Sequence, residues 1–204
     1  MNKTRLEAFS DGVIAILITI MVLDLRSPSG VDPSALASVL PDLATYLLSF
    51  AFLGIYWNNH HHLLHATSHI NGAVLWANLH LLFWLSLVPF ATRWMSQTDF
   101  ATLPTAAYGG VLLLAAIAYT VLVRIIVRCQ PPESLLVRAI GSDTKGNVSL
   151  VIYLVAIPLT FLNRWVALGL FALVAIMWFL PDRRIESRLN GRARTGRVTE
   201  GDGD

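Results

Sequence analysis

Long apolar runs broken by short polar stretches dominate the chain. Their spacing predicts six helices, over 6–25, 38–59, 71–95, 105–128, 147–162 and 165–180. A hydrocarbon core is crossed by roughly 20 mostly apolar residues, so each run reads as a membrane span. The last two are short and are joined by little more than Asn163-Arg164, which predicts a tight hairpin. The expected fold class is an all-α integral membrane protein with six transmembrane helices over residues 1–181. A polar, Arg- and Gly-rich tail over 182–204 has the composition of a disordered segment.

Composition agrees. Of 204 residues, 55% are hydrophobic and 14% charged, against about 25% charged in a soluble domain. Asp11 interrupts the first apolar run and no small-residue cleavage pattern follows Leu25, so a cleavable leader is not expected. Cys129 is the single cysteine, which excludes an intrachain disulfide.

Charge sets the orientation. With six spans, twelve of the fifteen basic residues fall on the side of the two termini, and only Arg26, Arg93 and Arg164 on the other. Basic residues gather on the cytosolic side of membrane proteins, so both termini are expected in the cytosol, in a multi-pass plasma-membrane protein. A net charge of +2 distributed this way points to no nucleic-acid partner. The tail arginines suit anionic lipid headgroups. Arg124 and Arg128 complement the C-terminal dipole of the fourth helix.

The chemistry begins where Arg5-Leu6-Glu7-Ala8-Phe9-Ser10-Asp11 runs into the first apolar helix. A carboxylate about one turn inside a span is costly unless it meets partners or water. At about 100° per residue, Ile20, Leu23 and Thr19 lie about 40°, −20° and −60° from Ile16 and share one face. Ser10 and Asp11 fall about 120° and 140° away. If Ile16, Thr19, Ile20 and Leu23 line a pore, Asp11 does not; it faces neighbouring helices of its own subunit. The plainer alternative is that the same stripe packs against lipid or protein. Asp24, about 80° from Ile16, could add negative potential at the far end of such a pore or simply end the helix in solvent.

His60, His61, His62, His65 and His69 crowd the end of the second helix. The four-residue spacing of His61, His65 and His69 allows a metal site or a pH sensor if the helix continues. It equally allows a polar helix end with one histidine bonded to Asp11. His80, inside the third helix, is expected to be a buried histidine with a partner.

The motif Arg5-x-x-x-Phe9-Ser10-Asp11, with Gly12-Val13-Ile14-Ala15-Ile16 and Thr19-Ile20-Met21-Val22-Leu23 after it, resembles the lysosomal and bacterial potassium channels of the transmembrane-protein-175 type. Trp57-x-x-His60-His61, Trp76-x-Asn78-Leu79 and Pro89-Phe90 extend the match through the third helix; the last three helices agree in hydropathy and length only. The resemblance implies a six-helix subunit of a bacterial inner-membrane homotetramer whose four first helices surround a potassium-permeable pore. It implies a constriction at Ile16 and pore-lining positions at Thr19, Ile20 and Leu23. It also implies a structural polar network of Arg5, Ser10 and Asp11, within the motif that includes Phe9, with Trp57, Asn78 and either His60 or His61. Three consecutive histidines leave that last position ambiguous. Ala15 has no hydroxyl, so Thr19 is the polar group nearest the narrow point.

No T-V-G-Y-G stretch is present, so a carbonyl-lined filter is not expected. A ring of large apolar side chains that closes by dewetting is the remaining device, with a modest preference for potassium over sodium. The rival reading is a proton- or cation-coupled transporter using Asp11 and a histidine as relay, for which internal inverted repeats would speak; none stands out. An enzyme is not expected: one crowded histidine cluster does not make the separated boxes of a di-iron site, and no nucleophile elbow occurs. The expected partners are further copies of the chain, membrane lipids and permeant potassium ions, with no cofactor.

Overall fold

The computed structural model describes residues 3–130 and 144–179; the tail over 182–204 and the end of the last predicted helix at Leu180 lie outside the described residues. These residues form eight helices: α1 (Lys3–Leu23), α2 (Pro33–Ala37), α3 (Leu40–His65), α4 (Gly72–Ser86), α5 (Val88–Gln97), α6 (Thr102–Cys129), α7 (Thr144–Thr160) and α8 (Arg164–Phe179). α1, α3, the joined stretch Gly72–Gln97, and α6 are long and apolar enough to cross a membrane. α7 and α8 are apolar but 17 and 16 residues long.

Local chemistry sets the boundaries. The Asn71 side chain accepts from the backbone N–H of Val74 and starts α4. Asn163 does the same for α8, accepting from Trp165 and Val166. Both satisfy donors that a helix N-terminus leaves open. The expected single helix over 71–95 is divided at Leu87, because Pro89 supplies no N–H and fits only the first turn of a new helix. The second predicted helix runs on to His65 rather than stopping at Asn59. Four of the clustered histidines therefore stand on α3 itself.

Two apolar cores share α6. One joins α1, α3, α4 and α6 through Leu6, Ile14, Leu53, Leu64, Leu81 and Leu122. The other joins α3, α5, α6, α7 and α8 through Phe52, Met95, Tyr108, Tyr153 and Phe171. Gly109 is required in the second: a Cβ there would stand 2.5 Å from Phe171 Cζ. α1 packs against α3, α4 and α5, which leaves its opposite side without a covering element.

Candidate functional site

α1 has two faces. Leu6, Ser10, Ile14 and Met21 are buried in the bundle. Arg5, Phe9, Gly12, Ile16, Thr19, Ile20 and Leu23 are exposed, and all fall within about 60° of Ile16 on the helical wheel. Ile16 is 62% exposed, Ile20 47% and Leu23 80%. The four residues read as pore-lining thus stand together on one uncovered apolar strip. Thr19 Oγ1 donates to the carbonyls of Ala15 and Ile16, each at 3.0 Å. Its oxygen lone pairs remain for whatever lies against the strip.

Behind the strip, polar side chains tie α1 to its neighbours. Ser10, His60 and Asn78 are buried. His60 Nε2 donates to Asn78 Oδ1 at 2.6 Å, Asn78 Nδ2 donates to Ser10 Oγ at 2.9 Å, and Ser10 Oγ donates to the carbonyl of Leu6 at 2.9 Å. This one-way chain crosses from α3 through α4 to α1. His60 Nδ1 is buried without a hydrogen-bond partner among the described residues.

A separate group holds Asp11. Trp57 Nε1 donates to Asp11 Oδ1 at 3.0 Å. The Trp57 ring stacks on His61 at 6.0 Å, and His61 stacks on His65 at 6.0 Å. The structure therefore divides the histidines: His60 is joined to Ser10 through Asn78, and His61 to Asp11 through Trp57. Ser10 and Asp11 are adjacent in sequence but turned about 100° apart, so each reaches a different partner. Arg5 and Phe9 join neither group. They are turned about 120° and 160° from Asp11, onto the uncovered strip, and no hydrogen bond or ion pair joins Arg5 to the described residues.

Two expectations change here. α3 ends at His65, so His69 leaves the face of His61 and its Nδ1 lies 3.0 Å from Ser68 Oγ. Among the described residues no group of three or more His, Cys, Asp or Glu could hold a metal ion. His80 is exposed rather than buried, because Leu81 and Leu82 take the inward positions of α4. Its Nε2 accepts from Trp84 Nε1 at 2.9 Å.

The far end of α1 is anchored by residues that motif reading missed. Arg93 Nη1 lies 2.9 Å from Asp24 Oδ1, so the Asp24 charge is matched and adds no free negative potential. Arg26 donates to both oxygens of Asp42, at 2.9 and 3.3 Å, and Ser96 Oγ donates to Oδ1. The bond to Asp42 pushes the Arg26 pKa up further, so the guanidinium stays charged. Between the pairs lies a cavity of about 20 Å³ lined by Met21, Asp42, Thr92 and Arg93, room for one water. Deeper in the bundle, Ser49 Oγ contacts Thr92 Oγ1 at 2.7 Å and Tyr108 Oη at 3.0 Å, joining α3, α5 and α6. Asp42, in the first turn of α3, satisfies the helix dipole whether or not it has a partner, so the sequence alone does not reveal its arginine.

Residues 5–89 match the family model described as the endosomal/lysosomal potassium channel TMEM175. A potassium channel of Chryseobacterium sp. (strain P1-3) is 50% identical over 189 residues, covering 93% of this chain and 98% of that one. The chain belongs to the TMEM175 family. A potassium channel of Chamaesiphon minutus is 31% identical over 193 residues, covering 86% of this chain and 93% of its own length. A crystal structure described as a lysosomal potassium-selective channel TMEM175 homologue from Chamaesiphon minutus has a TM-score of 0.74 at 30% identity, over 86% of this chain and 95% of that one. The TMEM175 model ends at the break between α4 and α5, so it spans α1, α3 and α4, the three helices that carry both polar groups. These relatives are channels, not enzymes.

Proposed function

We propose that this chain is the subunit of a potassium-permeable cation channel, with six membrane crossings per subunit and four subunits around one axis. α1 lines the central water path. The observation that carries this reading is the two-sidedness of α1: Ile16, Ile20 and Leu23 are uncovered in the protomer, while Ser10 and Asp11 are bonded into it. A helix whose only role was to meet lipid would need no such buried polar chain on its other side. Relatives of nearly the same length that are named potassium channels support the assignment.

In this assembly four Ile16 side chains form a ring that excludes water when narrow and admits it when α1 shifts outward. Thr19, one turn further, turns an oxygen whose proton is held by the helix carbonyls toward the path. Four such oxygens can replace part of a cation's hydration shell. They carry no net charge, so the preference for potassium over sodium is modest. With Asp24 matched by Arg93, the mouth at that end adds little to cation attraction. α7 and α8, shorter than a typical span, cross with a tight turn at Leu162-Asn163.

Purified protein in liposomes under a potassium gradient tests the reading. The wild type passes potassium without a coupling ion, and Ile16→Asn, which wets the ring, raises the flux. Flux unchanged by Ile16→Asn in a particle of unchanged mass would remove Ile16 from the path. A particle that is not four chains would remove the symmetry.

A further inference from the structure

Arg124 and Arg128 carry two charges that the channel reading leaves unused. Both are exposed, one turn apart, near the end of α6. Neither makes an ion pair among the described residues. Arg124 lies five residues inside the last residue of α6, about 7.5 Å at 1.5 Å per residue. A guanidinium that near a helix end reaches the headgroup layer by extending its side chain along the helix.

α4 runs antiparallel beside α6. The bond from Asn71 Nδ2 to Cys129 Sγ, 3.1 Å, sets their register. Counted from that pair, Gly72 is level with Arg128 and Trp76 with Arg124. Trp76 is 75% exposed, and His80 one turn on is exposed too. Ala118, Leu122 and Ile126 of α6 share a core with Val74, Ala77 and Leu81 of α4; Arg128 and Arg124 are turned about 120° and 160° from Leu122, so they stand on the side of α6 away from that core. Neither helix contains an acidic residue. The outward faces of α4 and α6 thus present two guanidiniums, an indole and an imidazole, with no carboxylate from either helix.

We propose that this outward surface binds the phosphate of an anionic phospholipid, with Arg124 and Arg128 as its donors and Trp76 against the glycerol and upper acyl region. Guanidinium matches phosphate geometry through paired N–H donors, and indole rings favour the headgroup layer. A lipid is the source because its acyl chains hold the phosphate at the membrane face; a free phosphate ion has no such anchor.

The test uses the full-length protein, purified and delipidated in mild detergent. Phosphatidylglycerol, phosphatidylcholine or inorganic phosphate is titrated while thermal unfolding and particle mass are followed. Phosphatidylglycerol should raise the midpoint. R124Q/R128Q should need about 25-fold more for half the effect, about fivefold per guanidinium. R124K/R128K, which keeps the charge but loses the paired donors, should fall between the wild type and R124Q/R128Q, and phosphatidylcholine should act alike on all three proteins. The tail is common to the three, so the difference reports α6. The proposal is overturned by an unchanged phosphatidylglycerol response in R124Q/R128Q. The same shift from inorganic phosphate overturns it too. So does loss of assembly by R124Q/R128Q before any lipid is added, which would make the arginines a contact between copies of the chain.

Discussion

Replacing Asn78 with alanine should cost more than its single amide suggests. The side chain gives its Oδ1 to His60 Nε2 at 2.6 Å and its Nδ2 to Ser10 Oγ at 2.9 Å. All three residues are buried, so no water takes the place of the lost partner. His60 Nδ1 already has no partner among the described residues; after the change both ring nitrogens would be in that state. Interhelical hydrogen bonds in membrane proteins average about 0.6 kcal/mol each and reach about 1.7. Two of them give about 1–3 kcal/mol, and the small cavity left by the amide adds to it. The measurement is unfolding by increasing SDS in mixed micelles, read by circular dichroism at one fixed protein concentration, because assembly makes apparent stability concentration-dependent. Ser10→Ala alone should cost less, since it strands only one N–H of Asn78. The double variant should cost less than the sum of the singles by at least about 0.5 kcal/mol, the signature of a shared contact. Asn78→Ala at wild-type stability, or strict additivity in the cycle, would refute the chain as a connection between α3, α4 and α1.

Three further outcomes follow from the same geometry. His60→Ala should destabilise the protein in the SDS titration by about 1–3 kcal/mol, while His61→Ala, exposed and stacked only on rings, should stay within about 0.5 kcal/mol; equal effects would erase the division between the two histidines. Asp42→Asn, which strips a buried carboxylate of its charge opposite Arg26, should cost about 1.5–3 kcal/mol. Asp24→Asn, whose pair with Arg93 is more exposed, should cost about 1 kcal/mol or less, and the reverse order would contradict the geometry at that end of α1. Gly109→Ala, whose added methyl would press Phe171 at 2.5 Å, should lower stability by about 1–3 kcal/mol; the companion Gly110→Ala, with open space around it, is the control and should not.

How far the chain can be read without coordinates depends on the range of the interaction. Apolar runs, the Asn71 and Asn163 helix starts, and the Pro89 break are local events, and each is visible in a few consecutive residues. The two faces of α1 are nearly as local, since a fixed rotation per residue separates Ile16 from Asp11 before any neighbour is placed. The ambiguity among three consecutive histidines is different. Successive helix residues point about 100° apart, so which one meets Asn78 depends on how α3 is rotated against α4, a property of packing and not of α3 alone.

The sequence by itself determined the helical membrane character of this protein, the amphipathic split of its first helix, and the family motif that marks it. Only the tertiary structure decided that His60 rather than His61 continues from Ser10, that Arg5 joins neither polar group, and that Asp24 and Asp42 each have an arginine. The reason is physical. Periodicity fixes where a side chain points from its own helix axis, whereas a hydrogen bond or an ion pair needs two helices placed and rotated so that donor and acceptor come within about 3 Å, and that placement comes from packing the whole bundle.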